Sequence, residues 1–191
     1  LGLGGALAQG IFRNPLADPY LLGSAAGASL GVVMVLAAGA LAGRAVPAAA
    51  TELLQRVGLV GAAFAGALVG VGLTVVLARG AQQTLRLLLA GIVVGVLLSA
   101  VNDLLTTWSV DALRGRQQFL LGSTGLLGWP AVVMLATGLA LALPLALRGA
   151  RVLDALTLGE ESAASLGLAL GRWRAGLLAL LTWCTGLAVA Q

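Results

Sequence analysis

Residue types that perform catalysis or bind metals are scarce in this chain. The sequence contains no histidine, no lysine and one cysteine, Cys184. His–Cys metal sites and histidine-based catalytic triads are therefore excluded, and so is a disulfide within the chain. A P-loop ATPase is excluded as well, because its Walker A motif requires a lysine. We expect no cofactor, no metal and no enzymatic activity here, so that any ATP would be bound by another subunit.

One acidic residue, Asp103, lies near the end of a long apolar stretch. A carboxylate is costly at the centre of a bilayer but inexpensive near the interface. Asp103 could face an aqueous vestibule, or it could pair with Arg114 or Arg116. A third interpretation makes it a proton-coupling acid, which would be expected of an ion- or proton-coupled secondary transporter.

The composition indicates a protein whose solvent is lipid. Hydrophobic residues make up 60% of the 191 residues, charged residues make up 9%, and the mean hydropathy is +1.04. Soluble domains carry about 25% charged residues. The net charge of +4 comes from arginine, without an interleaved aromatic platform, so we expect no nucleic-acid partner. The predicted fold class is all-α, a polytopic transmembrane helical bundle.

Four apolar stretches are long enough to be complete spans, namely 21–43, 57–78, 87–108 and 129–147. Stretch 57–78, at about 1.5 Å per residue, reaches about 33 Å, which exceeds a hydrocarbon core of about 30 Å. Residues 1–12 and 173–191 predict parts of two further spans. Because the chain starts at Leu1 instead of Met and is apolar at both ends, we expect an internal fragment of a longer protein.

Small residues recur at helical spacing in the first two of these spans. Gly23, Gly27 and Gly31 are four residues apart, and Gly66 and Gly70 repeat the step. This pattern predicts helices whose backbones touch. The alternative is that the glycines line a path for a substrate.

The longest polar island is the loop of residues 148–174. It holds four of the eleven arginines and three of the seven acidic residues. A short helix is predicted over 158–167, starting at Thr157 or Gly159 and ending at Gly167, and a shorter helical turn is predicted over 152–156. From the residues alone, the loop is either a solvated connection or a surface for another protein.

Two segments resemble a known family. The signature between the second and third spans of FecCD-type permeases is similar to residues 9–31, QGIFRNPLADPYLLGSAAGASLG. The loop after the sixth span of these permeases is similar to residues 153–172, LDALTLGEESAASLGLALGR. FecCD-type permeases are the permease subunits of binding-protein-dependent ABC importers for iron chelates and vitamin B12. The resemblance implies a type II importer fold, with residues 1–191 forming part of one transmembrane permease domain, approximately spans two to seven of ten.

The resemblance also assigns functional positions. In the family, two short helices of the loop that corresponds to residues 148–174 dock on the ATP-binding subunit, and we therefore call this segment the coupling loop. LRLLLAGIVVG (85–95) also resembles the opening of the family's fifth span, whose start lies near the cytoplasmic gate. The implied ATPase-contacting residues are Leu153, Leu156, Leu158, Gly159, Glu160, Glu161, Ala164, Leu166 and Gly167. The gate candidates are Gln83, Thr84 and Leu85, for which a loop and a helix N-cap are the plainer alternative. The signature residues are Gln9, Asn14, Pro15, Leu16, Ala17, Pro19, Gly23 and Gly27, which could also form a tight turn and nothing more.

Orientation can be tested against the distribution of arginine. If the coupling loop is cytoplasmic, alternation of the spans makes residues 109–128 an outer loop, in which we expect a short helix between Trp108 and Trp129. The cytoplasmic segments then hold Arg13, Arg79, Arg86, Arg148, Arg151, Arg172 and Arg174, and the outer segments hold Arg44, Arg56, Arg114 and Arg116. This excess agrees with the positive-inside rule.

The implied function is import of an iron chelate, driven by ATP hydrolysis in a partner subunit. A siderophore is the first candidate cargo, followed by heme or a corrinoid. The implied partners are a second permease subunit, two ATP-binding subunits, an extracytoplasmic substrate-binding protein and the lipid bilayer. The implied location is the bacterial inner membrane, with several passes. The alternative function is an ion- or proton-coupled secondary transporter, and a purely structural membrane subunit is a further one.

Overall fold

The computed structural model describes residues 1–41, 51–78, 84–108, 110–121, 128–159, 163, 165, 167 and 169–189. These residues are mostly helical and include no strand, which confirms the all-α prediction. The helices are α1 Gly2–Phe12, α2 Ser24–Leu41, α3 Thr51–Leu77, α4 Thr84–Trp108, α5 Val110–Leu121, α6 Trp129–Thr157 and α7 Leu170–Val189.

Three of the predicted spans are long and apolar enough to cross a membrane. They are Gly58–Leu77 of α3, the whole of α4 and the whole of α6. The apolar parts of α1 and α2, Gly2–Phe12 and Ser24–Ala38, are shorter. The short helix predicted between residues 109 and 128 is α5, which packs against α2 and α4.

Helices α2 and α3 pack through the predicted glycines. A Cβ on Gly27 would overlap the carbonyl of Gly66, and a Cβ on Gly31 would overlap the carbonyl of Ala62. Side chains at these positions would force the helices apart, so the absence of a Cβ is what allows the backbones to touch. The packing interpretation of these glycines is therefore confirmed by the structure.

Helices α6 and α7 run antiparallel. A Cβ on Gly149 of α6 would lie 2.7 Å from a methyl of Leu177, and Gly138 similarly faces Leu187. Near Gly138, the Trp183 indole N–H donates to the Gly138 carbonyl at 3.4 Å. These contacts bring the C-terminal end of α6 and the N-terminal end of α7 to the same end of the bundle.

The helical turn predicted separately for residues 152–156 is wrong. Helix α6 continues without interruption from Trp129 to Thr157, with Pro144 inside it. The reason is that the stretch after Pro144 contains one weak helix breaker, Gly149, whose missing side chain makes room for Leu177. The helix ends at Thr157 with Leu158 as its C-cap, and Gly159 follows with a φ of +104° that residues with side chains rarely adopt.

One core cluster joins the helix ends on this side of the bundle. It includes buried residues of α1, α3, α4, α6 and α7 together with Ala17 and Leu22 from the α1–α2 connection. Leu153 near the end of α6 and Leu21 pack against the same cluster. We call this side of the bundle the coupling end, because the coupling loop lies here.

Candidate functional site

Six of the eight signature residues lie in a segment of two consecutive turns of the same design, Arg13–Gly23, which we call the tandem turn, whereas Gln9 lies in α1 and Gly27 in α2. In the first turn, the Leu16 N–H donates to Asn14 Oδ1 at 2.9 Å and the Ala17 N–H donates to the Asn14 carbonyl at 3.0 Å. In the second, the Tyr20 N–H donates to Asp18 Oδ1 at 2.7 Å and the Leu21 N–H donates to the Asp18 carbonyl at 3.2 Å. Short Asx side chains are suited to this arrangement, because they can bond the backbone two residues onward.

Proline follows the Asx residue in both turns. Pro15 and Pro19 hold φ near the value that the second position of a turn requires. The Tyr20 side chain at the second turn is half-buried, and burial, with a smaller effect of the Asp18 carboxylate, raises the pKa of the phenol above its usual value. The phenol is therefore neutral at physiological pH.

The tandem turn begins at a helix cap. Arg13 ends α1 in the left-handed region, with φ 50° and ψ 39°. The Asn14 N–H donates to the Gln9 carbonyl at 3.1 Å, and the Arg13 N–H donates to the Gly10 carbonyl at 3.4 Å. This is the hydrogen-bond pattern of a Schellman cap, built here with a residue other than glycine.

The end of the tandem turn lies between α3 and α4. The Thr74 hydroxyl of α3 donates to the Leu22 carbonyl at 2.9 Å, and Leu22 is buried. A Cβ on Gly91 of α4 would overlap the carbonyl of Leu21. Gly23, with φ +77°, then leads into α2. The signature residues therefore bring the connection into backbone contact with the helix that begins at the gate candidates.

The coupling-loop candidates divide into buried and exposed positions. Leu156 is fully buried, in a small cluster with Val152, Ala155 and Ala163. Leu153 packs on α1, where a Cβ on Gly10 would lie 3.0 Å from its Cδ2 atom. Leu158, two residues beyond Leu156, is 69% exposed. Of the hydrophobic candidates in this part of α6, Leu158 is thus the one that a partner protein can reach.

The predicted helix over 158–167 is described at few positions. The Ala163 N–H donates to the Gly159 carbonyl at 3.0 Å, and Ala163 and Ser165 are helical. Gly167 has φ +75°, the left-handed geometry expected of its stop. The other candidates of this stretch, Glu160, Glu161, Ala164 and Leu166, lie outside the described residues.

The gate candidates lie at the start of α4. Thr84 is the first residue of the helix and is half-buried, whereas Leu85 is 68% exposed. Gln83 lies outside the described residues. Next to them a groove of about 450 Å³ is lined by Leu77, Ala78, Arg86, Leu89, Ala90 and Val93. The guanidinium of Arg86 is its charged lining group.

Asp103 forms an ion pair with Arg116 of α5, one of the two partners proposed from the sequence. The Asp103 side chain is 65% exposed and that of Arg116 is 22% exposed. The ion pair supports the interpretation in which Asp103 is held by an arginine, and Asp103 lies at the opposite end of α4 from the gate candidates. Among the described residues, no group of three or more acidic or cysteine side chains could hold a metal ion.

Sequence reasoning missed three buried polar residues. Arg174 is 3% exposed near the start of α7, and Asn102 and Thr74 are 1% and 0% exposed. The Asn102 side-chain amide donates to the Ala26 carbonyl of α2 at 3.5 Å. The available signal was a polar residue within an apolar helix, whose hydrogen-bonding groups need a partner within the protein because lipid offers none.

Comparisons with known proteins agree with this arrangement. The model of the FecCD transport family matches residues 1–191. Three relatives are vitamin B12 import system permease proteins BtuC. The one from Salmonella paratyphi A is 35% identical over 201 residues, 100% of this chain and 55% of the relative. The Escherichia coli O157:H7 protein is 36% identical over 199 residues, with 100% and 55% coverage. The Klebsiella pneumoniae protein is 35% identical over 197 residues, with 100% and 54% coverage.

The fold agrees as well. A solved structure described as an inward-facing conformation of a metal-chelate type ABC transporter superposes with a TM-score of 0.82 at 24% identity, covering 100% of this chain and 58% of the other. The chain spans about half the length of the curated relatives it matches. It is a multi-pass protein of the bacterial inner membrane. With the whole sequence matched, the chain belongs to the FecCD transport family, whose members are transport permeases and not enzymes.

Proposed function

We propose that this chain forms part of the translocation pathway of an ABC importer and that its coupling loop docks on an ATP-binding subunit. The observation that carries the proposal is the contrast between Leu156 and Leu158. Leu156 is fully buried, whereas Leu158, at the end of the same helix, is 69% exposed. An exposed leucine on a firmly anchored helix end can both bind a partner and transmit its movement.

The proposed partners follow from family membership. They are a second permease subunit, two ATP-binding subunits and an extracytoplasmic substrate-binding protein. In this assembly, ATP hydrolysis occurs in the partner, because this chain has no lysine for a Walker A motif. The gate would lie at Gln83, Thr84 and Leu85, and the exposure of Leu85 supports a position at the pathway surface.

The proposed cargo is a metal chelate. The iron siderophore expected from the sequence is one candidate. The relatives named as vitamin B12 import permeases make a corrinoid the second, at 35% and 36% identity. An uptake assay in cells that lack their own importers tests both. Accumulation of radiolabelled cobalamin without accumulation of ferric siderophores would assign the corrinoid, and the reverse result would assign the siderophore.

The docking test uses one cysteine at a time in the protein that contains this chain, produced at its natural length with the candidate ATP-binding subunit. Cys184 is first replaced by serine. Leu158→Cys is expected to crosslink to a cysteine on the surface groove of the ATP-binding subunit. Leu156→Cys is the matched control, because it lies two residues away on the same helix and is fully buried. It is expected to give no crosslink.

The outcomes separate the two transporter classes. Crosslinking at Leu158 that responds to nucleotide supports the importer. A correctly inserted protein that copurifies with no ATPase and gives no crosslink contradicts it. That result would favour a secondary transporter, although the pairing of Asp103 with Arg116 leaves the proton-coupling role of this carboxylate without structural support.

A further inference from the structure

The tandem turn, together with the last turn of α1 that leads into it, contacts both the coupling loop and α4. At its start, Leu153 of the coupling loop packs on Gly10, in the last turn of α1 and three residues before Arg13. At its end, the Leu21 carbonyl touches the backbone of α4 at Gly91. Gly91 lies seven residues after Thr84, which is about 10 Å along the helix from the gate candidates.

We propose that the tandem turn, Arg13–Gly23, is a rigid link that carries movement of the coupling loop to the gate end of α4. This inference rests on the proposed function, because it takes docking at Leu158 as the source of movement. It assigns to the signature residues a role in positioning the gate, beyond the closing of a tight turn.

The internal bonding of the tandem turn supports rigidity. Each half is closed by two hydrogen bonds, one to an Asx side chain and one to the same residue's carbonyl. Pro15 and Pro19 remove backbone freedom within the two halves. Ala17 is 5% exposed and Leu22 is 1% exposed, so the segment is also anchored in the core. A segment held in this way moves as a unit and does not absorb displacement by bending.

The arrangement of the helices favours this route. In the described part of the chain, α6 packs against α1 and α7, whereas α4 packs against α2, α3 and α5. The main packing contacts of α6 therefore reach α4 through an intermediate element. The competing route runs through α7 to α3, where Phe64 packs edge-on against Trp183 at a ring-centroid distance of 5.6 Å.

The first experiment joins the link to the coupling loop. Leu153 Cγ, whose place a cysteine Sγ would take, lies 3.4 Å from the position of a Cβ on Gly10, so cysteines introduced at these two sites would be neighbours. In the Cys184→Ser protein assembled with its ATP-binding subunit in liposomes, Gly10→Cys/Leu153→Cys is expected to retain cargo transport after oxidation. If oxidation abolishes transport and a reductant restores it, the two elements move against each other and the proposal is overturned.

The second experiment loosens the same contact. Leu153→Ala is expected to retain ATP hydrolysis while the cargo moved per ATP falls by at least about five-fold. Adding Gly10→Ala should recover part of this ratio, because its methyl group occupies space that the Leu153 side chain leaves. Leu139→Ala, on the same helix at a position 51% exposed, is the control and should not change the ratio. An unchanged ratio in Leu153→Ala, together with a reduced ratio in Phe64→Leu, would favour the α7–α3 route.

The third experiment tests the gate end. Gly91→Ala adds a methyl group that overlaps the Leu21 carbonyl, whereas Gly95→Ala, one turn along α4, meets nothing within 4 Å. Gly91→Ala is expected to lower the cargo moved per ATP by at least about five-fold, and Gly95→Ala is expected to leave it unchanged. Equal amounts of cargo moved per ATP in the two variants would contradict the proposal that the tandem turn is a rigid link. If the unmodified assembly shows no ATP-dependent transport, the proposed function itself has failed.

Discussion

Gly27 of α2 and Gly66 of α3 touch backbone to backbone where the two helices cross. A Cβ added to either residue would overlap the carbonyl of the other. The crossing continues on both sides, since the Cβ position of Gly27 lies 3.3 Å from Gly70 Cα and that of Gly66 lies 3.1 Å from the Gly31 nitrogen. Helices in lipid gain little from hydrophobic burial, so this close contact is the main source of attraction available to them.

Replacement of Gly66 should therefore weaken the helix pair. Gly66→Ala is expected to lower the free energy of unfolding by about 1–3 kcal/mol, because the backbone contact cannot yield to a methyl group. Gly72→Ala is the matched control on α3, where an added Cβ meets nothing within 4 Å. Thermal unfolding in detergent measures both variants, and equal midpoints would contradict the packing role of Gly66.

The two leucines at the end of α6 should differ in their contribution to stability. Leu156→Ala is expected to cost about 2–5 kcal/mol, because it empties a fully buried site. Leu158→Ala removes a side chain that is 69% exposed and should change stability by no more than about 0.5 kcal/mol. Chemical denaturation of the two variants side by side checks the difference. A stability loss at Leu158 comparable to that at Leu156 would show that Leu158 is structural.

The Asx side chain of the second turn should be replaceable only by another acceptor. Asp18→Ala removes the oxygen that accepts the Tyr20 N–H and should cost about 1 kcal/mol. Asp18→Asn retains an acceptor oxygen and should recover most of that stability. Thermal midpoints, together with the rate of proteolysis near residue 18, provide the measurement. If asparagine and alanine are equally destabilising, the carboxylate acts through its charge and not through this hydrogen bond.

Neutralising Asp103 should have little effect on transport. Its ion pair with Arg116 is partly exposed, and such pairs contribute no more than about 1 kcal/mol. Asp103→Asn is therefore expected to keep both the transport rate and its pH profile. Uptake measured across a pH series tests this expectation. A large loss of transport, accompanied by disappearance of a pH dependence present in the unmodified protein, would restore the proton-coupling alternative.

Several features could be predicted from the amino-acid sequence because each depends on local patterns. Long uncharged runs indicate membrane helices, which is why the apolar part of α3, α4 and the start of α6 were predicted, whereas α6 continues ten residues beyond its predicted end at residue 147. The spacing of Gly27 and Gly31 places them on one helix face, and the Asx–Pro pairs at residues 14 and 18 indicate turns. The amino-acid sequences of two segments were sufficient to identify the family, which the family match then confirmed.

Tertiary structure decided which residues meet. Leu153, Leu156 and Leu158 have the same side chain. Their difference arises because α6 continues into the coupling loop as far as Thr157 and turns the first two toward neighbouring elements. The contact of Leu153 with Gly10 joins residues far apart in the chain, and no local pattern predicts it. The sequence determines which segments partition into the bilayer and which helix backbones can pack closely against each other. The partners that each side chain finds depend on the packing of the whole bundle, because lipid offers a buried polar group no hydrogen-bond partner and the protein has to supply one.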